Sequence, residues 1–211
     1  MQRYLSFLSI AFLFAMAARG ADYEPQEGDL VFQSLAHNDV IDAIEGCSNS
    51  PYSHCGIVIN TVLGWAVLEA VGPVKQGPLN RWIEQGRDRK FAVFRLKAKH
   101  RPKIPNMIAE ARKFVGLPYD IQYELDDEKI YCSELIYTAW LAATGEKMGT
   151  LVKLGDLNWK PHEPVIRAIA GNLPLERLMI TPRDLASATQ LEMLLPLDTH
   201  QVIATKKKKK K

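Results

Sequence analysis

Three side chains in this sequence have the types that acyl transfer to a nucleophile requires: a thiol at Cys132, an imidazole at His54 and a carboxylate at Glu69. Cys132 precedes Leu135, Ile136, Ala139, Trp140 and Ala143, which space as one apolar stripe. The thiol therefore opens a helix, on its inward face. Free amides and the positive dipole end at a helix start favour a thiolate over a thiol of ordinary pKa ~8.5. The Cys132 amide is also placed to stabilise an oxyanion. A buried structural cysteine is the other reading of such a position. His54 stands in Ser53-His54-Cys55-Gly56-Ile57-Val58-Ile59, at the mouth of an apolar strand, where Gly56 admits close approach of another group. Glu69 is the only charge in Trp65–Val71, so it either faces solvent or has a partner. A hairpin with Ile59 opposite Gly64 puts His54 directly opposite Glu69, on one face with Cβ atoms ~5 Å apart. A slip of one residue would remove that alignment. In this arrangement the carboxylate orients the imidazole and the imidazole deprotonates the thiol.

The elements that must hold these groups follow from pattern. Glu27-Gly28-Asp29 reads as a turn fixed by Asp29, and Leu30–Gln33 as a strand. Asn38 or Asp39 caps a helix to Glu45, with Gly46 at its end. Ile57–Ile59 and Trp65–Val71 read as strands. A helix holds Leu79, Trp82 and Ile83, and Phe91–Leu96 alternates as a half-exposed strand. Apolar spacing from Ile104 to Val115 predicts a helix stopped by Gly116, with Pro118 beyond it. The helix opened by Cys132 runs to Thr144 and is stopped by Gly145. A further helix lies around Val165–Ala170, and Thr181-Pro182 starts another.

The chain as a whole is one domain's worth, with 211 residues, 47% apolar content and no internal repeat. Arg3, the uncharged run Leu5–Ala18 and small residues at Ala15, Ala17, Ala18 and Gly20 read as a signal peptide over residues 1–20. The run is shorter than the ~20 residues of a spanning helix, which sets aside the alternative of an uncleaved anchor and any stable membrane span. One domain then covers 21–205, exported to a periplasmic or secreted location. The formal charge of +3 comes from the terminal run Lys206–Lys211; without those six lysines, 21 basic residues face 24 acidic ones. The body is mildly acidic, so a nucleic-acid partner is not expected. The lysine run at 206–211 reads as a disordered tail. Three cysteines leave at least one free thiol; Cys47 and Cys55 either pair or pack as small apolar residues. His37, His100, His162 and His200 have no zinc spacing, and Asp126, Asp127 and Glu128 lack the calcium-loop pattern, so no metal or cofactor is expected. Tyr52, Tyr119 and Tyr131 lie beside the chemical residues; each either lines a substrate groove or packs at a sheet edge.

Five blocks in order are diagnostic: Glu27-Gly28-Asp29-Leu30-Val31-Phe32; Ser50-Pro51-Tyr52-Ser53-His54-Cys55-Gly56-Ile57-Val58; Val67-Leu68-Glu69-Ala70; Gly116-Leu117-Pro118-Tyr119-Asp120; and Tyr131-Cys132-Ser133-Glu134-Leu135-Ile136. Together they resemble the circularly permuted, NlpC-like branch of papain-fold cysteine hydrolases known as YiiX/YaeF-like. The resemblance spans residues 27–145, with a looser echo at Ile180-Thr181-Pro182. It implies an α+β, papain-like permuted fold, in which an antiparallel sheet packs against a helix carrying Cys132 at its N-terminus. It assigns Cys132 as nucleophile, His54 as base and Glu69 as the third member. Cys55 stands where such a sequence would carry a plain apolar residue such as valine. The activity implied is amide cleavage through a thioester on Cys132. The first substrate expected is cell-wall peptide, as in a peptidoglycan amidase or endopeptidase. A lipid-acyl hydrolase, amidase or acyltransferase is the alternative, favoured by an apolar groove. A non-catalytic envelope binding module is a third. Oligomeric state is not encoded in these patterns.

Overall fold

A computed structural model describes residues 22–126, 128–197 and 202–203. The signal peptide expected at 1–20 and the disordered tail expected at 206–211 lie outside the described residues. Six strands form one antiparallel sheet: β1 (Leu30–Gln33), β2 (His54–Thr61), β3 (Gly64–Ala70), β4 (Val74–Pro78), β5 (Ala92–Leu96) and β6 (Leu191–Leu195). Their spatial order is β4-β3-β2-β1-β5-β6. The helices are α1 (Asp39–Ser48), α2 (Leu79–Gln85), α3 (Ile104–Arg112), α4 (Cys132–Thr144), α5 (Glu163–Ala170) and α6 (Pro182–Ala186).

The central strands read as unbroken apolar runs because both faces are covered. On one face Leu30, Phe32, Cys55, Ile57 and Leu68 meet α3 and α4 through Met107, Leu135, Ile136 and Trp140. On the other, Val31, Val58, Val67 and Val93 meet α2 through Leu79, Trp82 and Ile83. The structure thereby corrects the reading of Phe91–Leu96 as half-exposed: Ala92, Val93, Phe94 and Leu96 are all buried. The charge that suggested an outer position, Arg95, reaches back to a buried carboxylate. Asp29 is fully buried and accepts Arg95 Nε at 2.6 Å and Nη2 at 2.8 Å, the Tyr23 hydroxyl at 2.8 Å and the Gln26 amide at 2.9 Å. Asp29 thus fixes the turn before β1 and also ties β1 to β5. Asp29→Ala strands that guanidinium, a change that costs about 3 kcal/mol or more when one partner of a buried pair is removed. Thermal unfolding should report this as a melting temperature lower by roughly 10 °C.

The last third of the chain docks on α1. Asn38 caps that helix through the amides of Val40 and Ile41, as its sequence position predicts. The helix runs past Gly46, its expected stop, to Ser48, and a Cβ on Gly46 would meet the His162 ring at 2.0 Å. That close approach brings the short turn before α5 against α1. Asn158 donates its amide to the Cys47 carbonyl at 2.9 Å, and Arg183 donates to the Ser48 carbonyl at 2.6 Å. Helix α5 is amphipathic, yet none of its residues is buried. Its apolar side therefore borders a void and not a core.

Candidate active site

Cys132 is the first residue of α4, as the stripe spacing predicts, and Gly145 ends that helix in a left-handed conformation at φ +75. The helix start is held from three sides. The Tyr131 amide donates to Glu134 Oε2 at 3.2 Å, which satisfies a group the helix leaves open. The Tyr131 hydroxyl accepts the Ile180 amide at 3.0 Å, and the Ser133 hydroxyl donates to the Ile180 carbonyl at 2.7 Å. The two residues flanking Cys132 therefore grip both backbone groups of one residue, in the Ile180-Thr181-Pro182 segment noted in the sequence.

His54 and Glu69 meet in the structure, by a different register from the one the sequence suggested. Thr61 pairs with Gly64 and Ile59 with Ala66, so the ladder is displaced by two residues and Glu69 falls opposite Gly56. A two-residue shift keeps every side chain on its own face. His54 and Glu69 become diagonal neighbours on the α2 face, and His54 Nε2 lies 2.7 Å from Glu69 Oε2, both side chains 2% exposed. Gly56 makes this reach available. A Cβ there would meet Val67 Cγ1 at 2.4 Å and the Glu69 Cβ at 3.4 Å. The Trp82 ring covers the imidazole, with centroids 6.1 Å apart.

With Nε2 engaged by Glu69, Nδ1 is the nitrogen left for sulfur. Consecutive residues of one strand end converge on Cys132: the imidazole of His54, the thiol of Cys55 and the Cys55 backbone amide. The hydrogen bond from the Cys55 thiol, with the bond and positive charge supplied by His54, holds the Cys132 thiol well below an ordinary cysteine against the opposing effect of burial. Burial alone would lower His54; hydrogen bonds to Cys132 and Glu69, and the charges on both, outweigh it and raise the imidazole to about 9. Both shifts favour thiolate and imidazolium over the neutral pair. Cys55 moves the other way: burial, and its bond to Cys132, keep its thiol protonated. Cys47 and Cys55 are not bridged; all three cysteines are free thiols.

Two adjoining clefts open on these groups. The first contains Cys132 and Ser133 and runs between α1 and α5, over Val40, Ile44, Val165, Ile166, Ile169 and Met179. The second contains Ser53, His54 and Gly72. Tyr123 and Ile121 line both. Of the tyrosines singled out in the sequence, Tyr119 lines the His54 cleft, with its hydroxyl 3.5 Å from that of Tyr123. Tyr131 borders the Cys132 cleft, but its hydroxyl is committed to Ile180. Tyr52 packs on Phe32 and Phe94, with centroids at 5.4 and 6.3 Å, and lines neither cleft. Tyr123 was not singled out by sequence pattern. It is placed by a left-handed backbone at φ +56, uncommon for a bulky aromatic residue. The Asp120 carboxylate, which accepts the Gln122 and Glu124 amides, and Arg177, which binds the Gln122 carbonyl and the Glu124 carboxylate, hold that loop.

A thiol at a helix start beside a carboxylate-bound imidazole, on an antiparallel sheet, is the arrangement of the papain-like class. The chain belongs to the permuted papain-like amidase family YaeF/YiiX (C92), whose pattern matches residues 24–195. It is 32% identical over 173 residues to the uncharacterized protein YiiX of Escherichia coli strain K12, covering 80% of this chain and 85% of that protein. It also superposes on a crystal structure described as metalloprotein YiiX from Escherichia coli O157:H7, with a TM-score of 0.73 and 30% identity, over 82% of this chain and 97% of that one. Among the described residues here, no group of three or more His, Cys, Asp or Glu side chains is arranged to hold a metal ion. No helix among them is long and apolar enough to cross a membrane.

Proposed function

We propose that this protein is a cysteine hydrolase that cleaves the amide of a long-chain acyl group, with Cys132 as nucleophile, His54 as acid and base, and Glu69 as the residue that orients His54. The observation that carries the substrate class is the cleft beside the Cys132 sulfur. Its walls are mostly apolar, and its one charged lining residue, Arg177, is already bound to Glu124 and to the Gln122 carbonyl. A cell-wall peptide, the first expectation from sequence, brings α-amino and carboxylate groups that such walls leave without partners. An acyl chain meets the half-exposed apolar side of α5 instead.

The steps follow from the groups present. The Cys132 thiolate attacks the substrate carbonyl, and the Cys132 amide at the helix start faces the developing oxyanion. His54, held as imidazolium, gives its proton to the leaving amine from the adjoining cleft. The acyl group is then a thioester on Cys132 in the apolar cleft. Neutral His54 takes a proton from water, which attacks the thioester and releases the fatty acid. A periplasmic or secreted location is consistent with the apolar leader at residues 1–20.

A series of N-acyl amides of increasing chain length tests this reading. Each methylene buried contributes ~0.8 kcal/mol, so kcat/KM should rise by about fourfold per methylene until the cleft is filled. Ile166→Asp should flatten that series while leaving alkylation of Cys132 by iodoacetamide unchanged. Release of peptides from wall muropeptides, with no dependence on acyl length, would overturn the acyl reading in favour of the wall peptide.

A further inference from the structure

We infer that Cys55 is a resolving thiol for Cys132, making the pair a site of reversible oxidation by hydroperoxides that protects the nucleophile by forming a disulfide with it. The inference rests on the reactive thiol of the proposed function but not on its substrate.

The geometry is that of two thiols held together in a closed place. Cys55 and Cys132 belong to the same buried cluster, 0% and 3% exposed. Cys55 lies on the face of β2 that α4 covers, with its thiol and its amide both within hydrogen-bonding reach of the Cys132 sulfur. Cys55 has no packing task that needs a thiol. Ile57 and Ile59, the next residues on that face of β2, are plain aliphatic side chains in the same cluster. Cys47, the third thiol, lines the same apolar cleft from α1. Burial pushes its pKa up to about 11, so it stays protonated and unreactive and serves as an internal control.

The chemistry uses one thiolate and one thiol, which is what the pair presents. The Cys132 thiolate attacks one oxygen of a hydroperoxide. The O–O bond breaks, an S–O bond forms, and the departing oxygen takes a proton from the His54 imidazolium to leave as water or an alcohol. Cys132 is then a sulfenic acid, oxidised by two electrons while the peroxide is reduced by two. Neutral His54 accepts the Cys55 proton, the Cys55 sulfur attacks the Cys132 sulfur, and the S–O bond breaks as hydroxide takes that proton and leaves as water. In total two S–H protons and two electrons pass to the peroxide, and one S–S bond is made. Without a neighbouring thiol, sulfenic acid proceeds to sulfinic acid, which dithiothreitol does not reverse. A dithiol reductant opens the disulfide by exchange.

The test uses the full-length protein, hydrogen peroxide and mass spectrometry, and needs no substrate. Wild type treated with peroxide should lose about 2 Da, the two thiol hydrogens, and yield a peptide pair joined through Cys55 and Cys132, with Cys47 free. Iodoacetamide should no longer label Cys132, and dithiothreitol should restore labelling to the untreated level. Cys55→Ser, which keeps a hydrogen-bond donor to the Cys132 thiolate, and more slowly Cys55→Val, which removes it, should instead accumulate sulfinic acid on Cys132 that dithiothreitol leaves in place. Wild type that over-oxidises as the variants do, or that does not react with peroxide, overturns the inference. A Cys132 that iodoacetamide fails to label before any oxidation overturns the proposed nucleophile itself, a result distinct from both.

Discussion

Cys132→Ala should lower hydrolysis of an acyl amide by roughly 10⁴-fold or more, and His54→Ala should cost nearly as much, with the double variant no slower than the worse single one. The two groups act as one device. The sulfur is a thiolate because the Cys55 donor and the imidazolium hold it so. The imidazole is raised to about 9 because the sulfur and Glu69 sit against it. Removing either leaves the other buried without its counter-charge. The pH profile of kcat/KM carries the sign. The acid limb falls where Cys132 gains a proton, below the range of an ordinary thiol. The basic limb falls near pH 9, where His54 loses the proton that the leaving amine needs. Circular dichroism of each variant separates loss of chemistry from loss of fold. Equal turnover by wild type and Cys132→Ala would leave the chain as a binding module on a papain-like frame.

The second large effect belongs to Glu69. Its carboxylate holds His54 Nε2 at 2.7 Å, in a site where both side chains are closed to water. Glu69→Gln keeps the shape but exchanges an acceptor-only group for one that also donates, so the ring tautomer and its charge are no longer imposed. Turnover should fall by about 10⁴-fold, as it does when the orienting carboxylate of a comparable triad becomes an amide. The KM should change little, because Glu69 acts through His54 and lines neither cleft. The basic limb should also move down from about 9. Without the carboxylate's charge, burial pulls the imidazole back toward and below its ordinary 6.5. A variant with an unmoved basic limb would make Glu69 a packing residue only.

Much of this site was legible from spacing, and the failures have physical causes. The stripe Leu135, Ile136, Ala139 and Trp140 located α4 and its first residue without error, because a 3.6-residue period is read within one element. The facing of His54 and Glu69 was legible because a strand alternates with period two. Their pairing was not, because it depends on the turn. That turn is the two-residue loop Val62–Leu63, both side chains fully exposed. It closes through the Thr61 hydroxyl, which donates to the Gly64 carbonyl, and through Gly64 at φ +109. Neither is the Asn-Gly or Asp-Gly signature of a tight hairpin. Strands β4 and β6 were missed. Val74–Pro78 is mostly polar at the sheet edge, and Leu191–Leu195 has an exposed middle. The cleft could not be read at all. Val165, Ile166 and Ile169 looked like a core stripe in sequence, and only the docking of α5 on α1 through Gly46 and His162 leaves that stripe facing a void. Tyr123 was invisible for a similar reason: Asp120 and Arg177, one of them 54 positions away, place it.

The grip of Tyr131 and Ser133 on Ile180 bears on when, during synthesis, the chain becomes reactive. The imidazole, the carboxylate and the thiol have all left the ribosome once residue 132 has emerged, yet the neighbours of that thiol still lack the amide and carbonyl they hold in the finished protein. Those arrive 48 residues later, with Ile180. A nascent or truncated chain ending short of that point carries every reacting atom and none of the final anchorage, so competence is a late event in the protein's biogenesis.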